Sequence, residues 1–318
     1  KISKSNLIKM LSKILKSNKY KNRDINTEYH EEYQYINLIN DVLLDGSDVI
    51  GRNGATKMVF GTIMEFDLNN NSIPILTTKR VAYKTCLREL LWFINGSTDN
   101  EVLQRQGVTI WNGNASRDFL DSRGLYDNSI NDLGPIYGFQ WRHFNAEYEG
   151  CSSDYQNKGI DQLSYVINCL KDPEQRTSRR LIITAWNPCQ LDKMALPPCH
   201  VLMQFNVRDN KYLSCSLYQR SGDIGLGVPF NIASYSFLTH LIAHHCNLIP
   251  EKFIYNLGNA HIYSDHILSL EQQVDNTPHR FPTIKIIKKH ENIEDYTIDD
   301  FIIENYISHK KISMEMIK

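Results

Sequence analysis

The sequence lacks a long apolar run, a strong net charge and a secretory N-terminus. No apolar stretch approaches the ~20 residues that a membrane span needs. The N-terminus is basic, but the apolar core of a signal peptide does not follow it. The formal net charge of −1 argues against a protein-wide field that attracts nucleic acid. We therefore expect a cytoplasmic globular protein without a membrane anchor.

Closely paired cysteines and nucleotide-binding glycine loops are also missing. Because no Cys-x-x-Cys pair occurs, we expect no metal site. A disulfide framework is not expected at this length, so we predict a reducing compartment and six cysteines that are small buried hydrophobes, with Cys199 the exception. No Gly-x-Gly-x-x-Gly or Walker loop appears, which argues against a bound dinucleotide or ATP.

Charge separates a basic N-terminal extension or linker, residues 1–28, from a domain that covers residues 29–318. Residues 1–23 contain eight Lys and Arg and no acidic residue, and their apolar residues recur at helical spacing. This pattern is typical of a surface or packing helix, or of a helix that binds a membrane surface or a partner. The chain starts at Lys1, which suggests the hypothesis that it is a fragment of a longer protein.

The domain mixes strands and helices without regular alternation, which favours an α+β fold over a doubly wound sheet. Residues 112–160 are rich in Gly, Asn, Asp and Ser and are predicted mainly as loops. The predicted helices are 29–45, 81–94, 231–246 and 261–274, the first closed by Gly46. The predicted strands are 57–68, 180–186, 199–208, 211–220 and 253–258, with Asp209-Asn210 as a two-residue hairpin turn.

Cys199 and Arg220 stand at the two ends of this predicted hairpin, so they could face one pocket. A thiol is nucleophilic only as the thiolate, and a cation such as Arg220 would lower its pKa from about 8.5. An inert buried thiol is the alternative for Cys199. His200 is adjacent, but neighbouring strand residues point to opposite faces, so it cannot easily serve Cys199 as a base.

Two further patterns have both a structural and a functional explanation. Glu89 lies in a helix that is apolar around most of its circumference, so it either pairs with Arg88 or another arginine, or acts as a catalytic acid. Several arginines would suit a phosphomonoester if they converge, but they are also compatible with unrelated surface ion pairs. These arginines are Arg52, Arg179, Arg180 and Arg220.

Six motifs together resemble the thymidylate synthase family. They follow the family's order and spacing, and the similarity extends from about Tyr29 to the C-terminus. The surrounding sequence is similar to the synthase half of the bifunctional dihydrofolate reductase–thymidylate synthases of protozoa, although no reductase motif is present. The motifs are Leu133-Gly-Pro-Ile-Tyr137, Ser178-Arg-Arg180, Pro197-Pro-Cys-His200, Tyr218-Gln-Arg-Ser-Gly-Asp223, Gly227-Val-Pro-Phe-Asn231 and Gly258-Asn-Ala-His-Ile-Tyr263.

The resemblance implies a mixed β-sheet with surrounding helices, and a homodimer in which one sheet face packs against its twin. It implies reductive methylation of dUMP to dTMP, with 5,10-methylenetetrahydrofolate giving carbon and hydride and leaving as dihydrofolate. Cys199 would form a covalent adduct at C6 of uracil, and Asn231 would read the uracil edge. The implied catalytic residues are Cys199, Glu89, Tyr137, Asn231, His200 and Asp223.

The resemblance also implies a nucleotide site, a folate site and a possible reductase domain linked upstream. Arg179 and Arg180 would reach the site of the other subunit. The dUMP site would contain Arg52, Arg179, Arg180, Arg220, Gln219, Ser221, Asn231, His261 and Tyr263. The folate site would contain Lys79, Ile110, Trp111, Asp223, Leu226, Gly227, Phe230 and Met316.

Three positions depart from the family pattern, and two other functions stay open. Ala55 replaces a glycine in the loop Arg52-Asn-Gly-Ala-Thr56. Lys318 ends the chain where a small or apolar residue is common, and Asn259 replaces the aspartate of many members. A deoxypyrimidine hydroxymethylase of the same fold would pass the carbon to water, but Asn231 favours uracil and Trp111 favours water exclusion. An RNA-binding relative is marked only by the basic N-terminus.

Overall fold

A six-stranded mixed sheet forms the centre of the structure, a computed structural model that describes residues 30–51 and 54–316. The predicted extension lies outside the described residues. The strands are β1 (Ser47–Gly51), β2 (Gly54–Asp67), β3 (Ile182–Thr184), β4 (His200–Arg208), β5 (Tyr212–Asp223), β6 (Ile249–Tyr263), β7 (Thr283–Ile286) and β8 (Phe301–Glu304). The sheet order is β1-β2-β6-β5-β4-β3, in which only the β5–β6 pair is parallel, while β7 and β8 form a separate two-stranded antiparallel sheet.

Helices cover one face of this sheet, and the longest of them is central. The helices are α1 (Tyr33–Asp45), α2 (Tyr83–Ile94), α3 (Asn100–Arg105), α4 (Arg117–Ser122), α5 (Tyr137–His143), α6 (Gln162–Lys171), α7 (Gly227–His245) and α8 (Ile267–Val274). Helix α7 packs against β5, β6 and α2. Its sequence is apolar around the whole circumference, as expected for a helix buried on all sides. The predicted α+β class is confirmed.

The opposite face of the sheet is open in the single chain and carries large apolar side chains. Ile63, Tyr218 and Leu202 share one row across the sheet, because Ile63 pairs with Asn256, Asn256 with Tyr218, and Tyr218 with Leu202. Their exposed fractions are 62%, 39% and 36%, and Ile182 of the edge strand is 42% exposed. Exposed apolar residues grouped in this way are typical of an interaction surface.

Local patterns predicted most element centres correctly. The first helix is confirmed as α1, and Gly46 ends it, although Gly46 is extended (φ −62°, ψ 141°) rather than left-handed. Glycine is required there because an added Cβ would lie 2.3 Å from the carbonyl oxygen of Val42. The helix predicted at 81–94 and the strand at 57–68 are confirmed as α2 and β2.

Other boundaries were wrong. The hairpin is confirmed, but Arg208 pairs with Tyr212, so its turn has three residues rather than two. Helix α7 begins at Gly227, four residues before the prediction. Residues 261–263, predicted as helix, continue β6, and the predicted loop region contains the short helices α4 and α5. The strand predicted at 180–186 is a three-residue edge strand with one exposed face.

Candidate active site

Cys199 and Arg220 lie together at the open end of the β4–β5 hairpin, as the sequence predicts. The backbone N–H of Arg220 donates to the carbonyl oxygen of Cys199 at 2.9 Å. The guanidinium turns back over the same loop, where Nε donates to the carbonyl of Pro198 at 2.9 Å and Nη2 to that of Pro197 at 2.8 Å. Its centre lies 5.5 Å from the ring of Trp186. Arg220 therefore fixes the loop that carries the thiol.

The electrostatic environment of Cys199 differs from the prediction. Burial raises the pKa of the Cys199 thiol, while Arg220 and a hydrogen bond with Tyr137 act in the opposite direction. The predicted effect of Arg220 thus has the right sign, but the expected net lowering is wrong because burial outweighs it. This environment of the single chain favours the thiol form of Cys199.

Helix α5 places Tyr137 directly against the Cys199 loop. The backbone N–H of Cys199 donates to the Tyr137 hydroxyl oxygen at 2.8 Å. The phenol ring stacks on Phe93 with centroids 4.8 Å apart, and the His200 ring lies 5.1 Å away. The Tyr137 hydroxyl therefore contacts both the backbone N–H and the side chain of Cys199.

Helix α2 places Glu89 in a buried position beside Trp111. The Trp111 Nε1–H donates to Glu89 Oε1 at 2.7 Å, and Glu89 is only 9% exposed. Burial raises the pKa of Glu89 to about 7, against the smaller opposing effect of the indole bond. Within the described residues, Glu89 forms no salt bridge with Arg88 or another arginine, so that alternative is wrong there. A carboxyl with a pKa near neutrality suits proton transfer in both directions.

Polar side chains between β5 and α7 form a second group. Gln219 Nε2 donates to the backbone carbonyl of Ser221 at 2.8 Å and to Asn231 Oδ1 at 3.0 Å. Burial lowers the pKa of His200 to about 4, although a hydrogen bond with Asn231 acts in the opposite direction. The His200 ring also lies 5.2 Å from that of Tyr235. His200 is therefore a neutral imidazole, and its position matches the argument that it is no simple base for Cys199.

Asp223, at the end of β5, connects to the C-terminal segment. Its Oδ1 accepts from the Gly225 N–H at 2.8 Å and lies 3.5 Å from Nδ1 of His266, a contact that raises the pKa of His266. Nε2 of His266 is hydrogen-bonded to the carbonyl of Glu315 at 2.7 Å. The ammonium of Lys79 donates to the carbonyl of Gly225, and burial lowers the Lys79 pKa to about 8.

The start of α7 brings predicted folate residues close to both Asp223 and Asn231. Gly227 lies beside both side chains, since a Cβ atom built onto it would be 3.7 Å from Asn231 Oδ1 and 3.8 Å from Asp223 Cβ. This end of the helix therefore lies between the two polar side chains. The remaining predicted folate residues are the half-buried Leu226, Phe230 and Ile110 and the 52% exposed Met316.

The predicted ribose residues lie on β6, next to β2. The rings of His261 and Tyr263 are nearly perpendicular with centroids 5.1 Å apart, and His261 Nδ1 is hydrogen-bonded to Asn259 Oδ1 at 3.1 Å. Asn259, a departure from the family pattern, thus still offers an acceptor. Ala55 is an exposed residue of β2. Arg52 and Lys318 lie outside the described residues.

Arg179 and Arg180 are exposed and lie far from the thiol of their own chain. The β3–β4 register, extended by two residues, places Arg180 opposite Asn206. Cys199 is seven residues away along the same strand, or about 23 Å at roughly 3.3 Å per residue. By this estimate, Arg180 lies too far along the sheet to contact the Cys199 thiol of its own chain.

Three buried groups near the site were missed from the sequence. The Tyr255 hydroxyl donates to Gln219 Oε1 at 2.7 Å, and Tyr235 contacts His200. His266 lies 3.5 Å from Asp223 and is hydrogen-bonded to the carbonyl of Glu315. Tyr255 shares the alternating pattern of the predicted strand 253–258, so the strand period was the available signal. No motif pointed to His266, which follows the end of β6.

Metal ligands, membrane-spanning helices and cysteine pairing concern the whole described chain rather than this site alone. Within residues 30–51 and 54–316, no group of three or more His, Cys, Asp or Glu side chains could hold a metal ion, and no helix is long and apolar enough to cross a membrane. All seven cysteines are free. Cys189 is exposed and Cys151 half-buried, so the prediction of six buried thiols is wrong for these two.

Known proteins of one family match most of this chain. The family model described as thymidylate synthase matches residues 33–318. The chain is 52% identical over 306 residues to a bifunctional dihydrofolate reductase–thymidylate synthase of Plasmodium chabaudi, covering 96% of this chain and 50% of that protein. A bifunctional relative of Zea mays is 52% identical over 289 residues, which cover 90% of this chain and 54% of that protein.

A single-function relative gives the same result over most of its own length. The thymidylate synthase of human herpesvirus 8 is 50% identical over 288 residues, covering 90% of this chain and 84% of that protein. By contrast, the chain spans about half the length of the bifunctional relatives that it matches. The motifs, the mixed sheet and the long matches agree, and the chain belongs to the thymidylate synthase family, whose members are methyltransferases.

Proposed function

We propose that this chain catalyses the reductive methylation of dUMP to dTMP with 5,10-methylenetetrahydrofolate as donor of carbon and hydride. The observation that carries this proposal is the convergence on one loop of Cys199, Arg220 and Tyr137, with their hydrogen bonds of 2.8–2.9 Å. Cys199 would add to C6 of uracil, which makes C5 nucleophilic. Because the thiol is favoured before binding, it would lose its proton as the adduct forms.

Glu89 and Tyr137 are the proposed proton-transfer groups. The pKa of Glu89 near 7 suits exchange of protons at O4 of the base and at the folate nitrogen. The Tyr137 hydroxyl, beside the Cys199 side chain, suits a hydrogen-bond role during removal of the C5 proton. His200 is neutral and buried, so we assign it a supporting position beside Asn231 rather than the role of a base for Cys199.

Asn231 and the ends of β5 and β6 would hold the nucleotide. The Asn231 amide can accept from N3–H and donate to O4, the pattern of uracil. Gln219 would support this amide, and His261 and Tyr263 would bind the ribose. Arg52, Arg220 and Ser221 would bind the phosphate together with Arg179 and Arg180 of the partner subunit.

The folate would enter beside the start of α7. The carboxylate of Asp223 can accept from the amide edge of a pterin, and Lys79 adds a buried donor nearby. Trp111, Phe230 and Leu226 offer apolar and aromatic surface, which would keep water from the transferred carbon. Ile110, Gly227 and Met316 complete this proposed set.

We also propose an isologous homodimer built on the open sheet face. Two observations support it: the exposed apolar row of Ile63, Tyr218 and Leu202, and the distance of about 23 Å that separates Arg180 from Cys199 along one chain. In such a dimer each site would take Cys199 from one subunit and the arginines from the other.

A linked reductase domain and a cytoplasmic location are proposed from the relatives and from the cysteines, respectively. Because the bifunctional relatives are about twice as long, a reductase domain in the same polypeptide is a proposal, which the intact mass of the native product would test. A cytoplasmic location is proposed from the free cysteines. RNA binding by the N-terminal extension stays an untested alternative.

The deciding experiment is a spectrophotometric assay with dUMP and methylenetetrahydrofolate, in which the absorbance of dihydrofolate and the yield of dTMP are measured together. We expect equal amounts of both products, because only hydride transfer from the folate forms dihydrofolate. Cys199→Ser serves as the control for background reaction. Consumption of dUMP without dihydrofolate would favour a hydroxymethylase, and a verified dimer without any turnover would overturn the proposal.

A further inference from the structure

A line of buried polar groups runs from Tyr255 on β6 through Gln219 on β5 to Asn231 on α7. These three side chains are 0%, 2% and 8% exposed, so water does not compete for their hydrogen bonds. The Tyr255 hydroxyl donates to Gln219 Oε1 at 2.7 Å, and Gln219 Nε2 donates to Asn231 Oδ1 at 3.0 Å.

The direction of these bonds is fixed by chemistry. Gln219 Nε2 also lies 2.8 Å from the backbone carbonyl of Ser221, which can only accept. The nitrogen of Gln219 must therefore occupy that position, and its second proton points to the Asn231 side chain. The Tyr255 hydroxyl satisfies the oxygen on the other side of the amide. Gln219 is thus held from both sides with its donor facing Asn231.

From this geometry we infer that Tyr255 is a positioning residue that sets the base specificity of the site through Gln219 and Asn231. The inference rests on the proposed use of Asn231 to read uracil. If the Asn231 amide turned over, its NH₂ group would face the NH₂ group of Gln219 and leave two buried donors without acceptors. The turned amide would donate to N3 and accept from the group at C4, which is the pattern of cytosine. The hydrogen bonds from Tyr255 through Gln219 therefore oppose rotation of the Asn231 amide, and this disfavours the binding of dCMP.

Tyr255→Phe tests this inference with a change of one oxygen atom. It leaves Gln219 Oε1 buried without its donor, so the Gln219 amide loses one of its two anchors, while the Ser221 carbonyl remains. We expect the ratio of the dCMP and dUMP dissociation constants to fall about two- to tenfold, the range for loss of one hydrogen bond. Equilibrium dialysis with labelled dUMP and dCMP would measure both constants on the same protein preparation.

Gln219→Glu provides a second and stronger perturbation. A carboxyl group has at most one proton to donate, and the Ser221 carbonyl competes for it, so an acceptor faces Asn231. The turned amide is then favoured, and we expect the same ratio to fall more than in Tyr255→Phe. If Gln219→Glu fails to fold, Tyr255→Phe remains as the isosteric test.

Tyr155→Phe is the matched control, because the Tyr155 hydroxyl donates to the Gly150 carbonyl at 2.8 Å in a separate small apolar cluster. It should leave the ratio unchanged. A role of Tyr255 in stability alone would lower the melting temperature but would leave the ratio unchanged, and that result overturns the inference. A wild-type protein that binds no dUMP would instead overturn the proposed function, so the two failures are distinguishable.

Discussion

Replacing Glu89 by glutamine should make the folded protein more stable at pH 8, although the same change should abolish activity. Burial raises the pKa of this carboxyl from 4.5 to about 7 in the folded chain. Between these two pH values the folded state binds the extra proton, so stability falls as pH rises and stays low above pH 7. About 2.5 pKa units correspond to roughly 3 kcal/mol. Glutamine keeps the acceptor for Trp111 and never ionises, so it escapes this loss.

The measurement is urea unfolding of wild type and Glu89→Gln from pH 4.5 to 8.5. All samples have one protein concentration, because the apparent stability of a dimer depends on its concentration. We expect the difference in free energy of unfolding to be small at pH 4.5 and to approach 3 kcal/mol in favour of the variant above pH 7. Glu271→Gln, on the exposed surface of α8, controls for the change in net charge. A difference that does not vary with pH, or a variant less stable at pH 8, would refute the assigned burial effect.

Further predictions concern the thiol and the shared site. Cys199→Ser should lose nearly all turnover and keep dUMP binding, and near-normal turnover would exclude the covalent role. Mixing Cys199→Ser with Arg179→Ala should restore roughly a quarter of wild-type activity, because half of random dimers are hybrids with one intact site each; no recovery after confirmed subunit exchange would count against shared sites. Iodoacetamide at pH 7 should modify the exposed Cys189 before Cys199, whose pKa is raised by burial, as peptide mass spectrometry can show. Faster modification of Cys199 would contradict its thiol state.

The sequence predicts elements well where one face is apolar and poorly where a strand lines the site. Helix α1 and the β4–β5 hairpin follow clear periods, so their centres were predictable. At the end of β6, Ala260 and Ile262 are buried while Asn259, His261 and Tyr263 are half-buried, so the strand alternation continues, yet residues 261–263 were assigned to a helix by mistake. Leu257 and Gly258 are both buried, which shifts the phase of the alternation, so the local pattern ended the predicted strand at Gly258.

Distances between elements were the second limit of the sequence. The hairpin alone brings Cys199 to Arg220, because a turn of a few residues constrains both ends. The separation of Arg180 from Cys199 depends on the register of β3 against β4, which no local pattern specifies. The bond from Tyr255 to Gln219 likewise depends on the parallel pairing of β5 with β6, two strands joined through the whole of α7.

Burial also acts on the ionisable groups of the site in one direction, towards the neutral form. It raises the pKa of Cys199 and Glu89 and lowers the pKa of His200 and Lys79. Arg220 is the one cation that opposes this effect at Cys199 in the described chain. In the proposed dimer, Arg179 and Arg180 of the partner subunit would add positive charge to the same site. They would act on the Cys199 pKa in the same direction as Arg220. In that dimer, assembly would favour the thiolate as well as complete the proposed phosphate site.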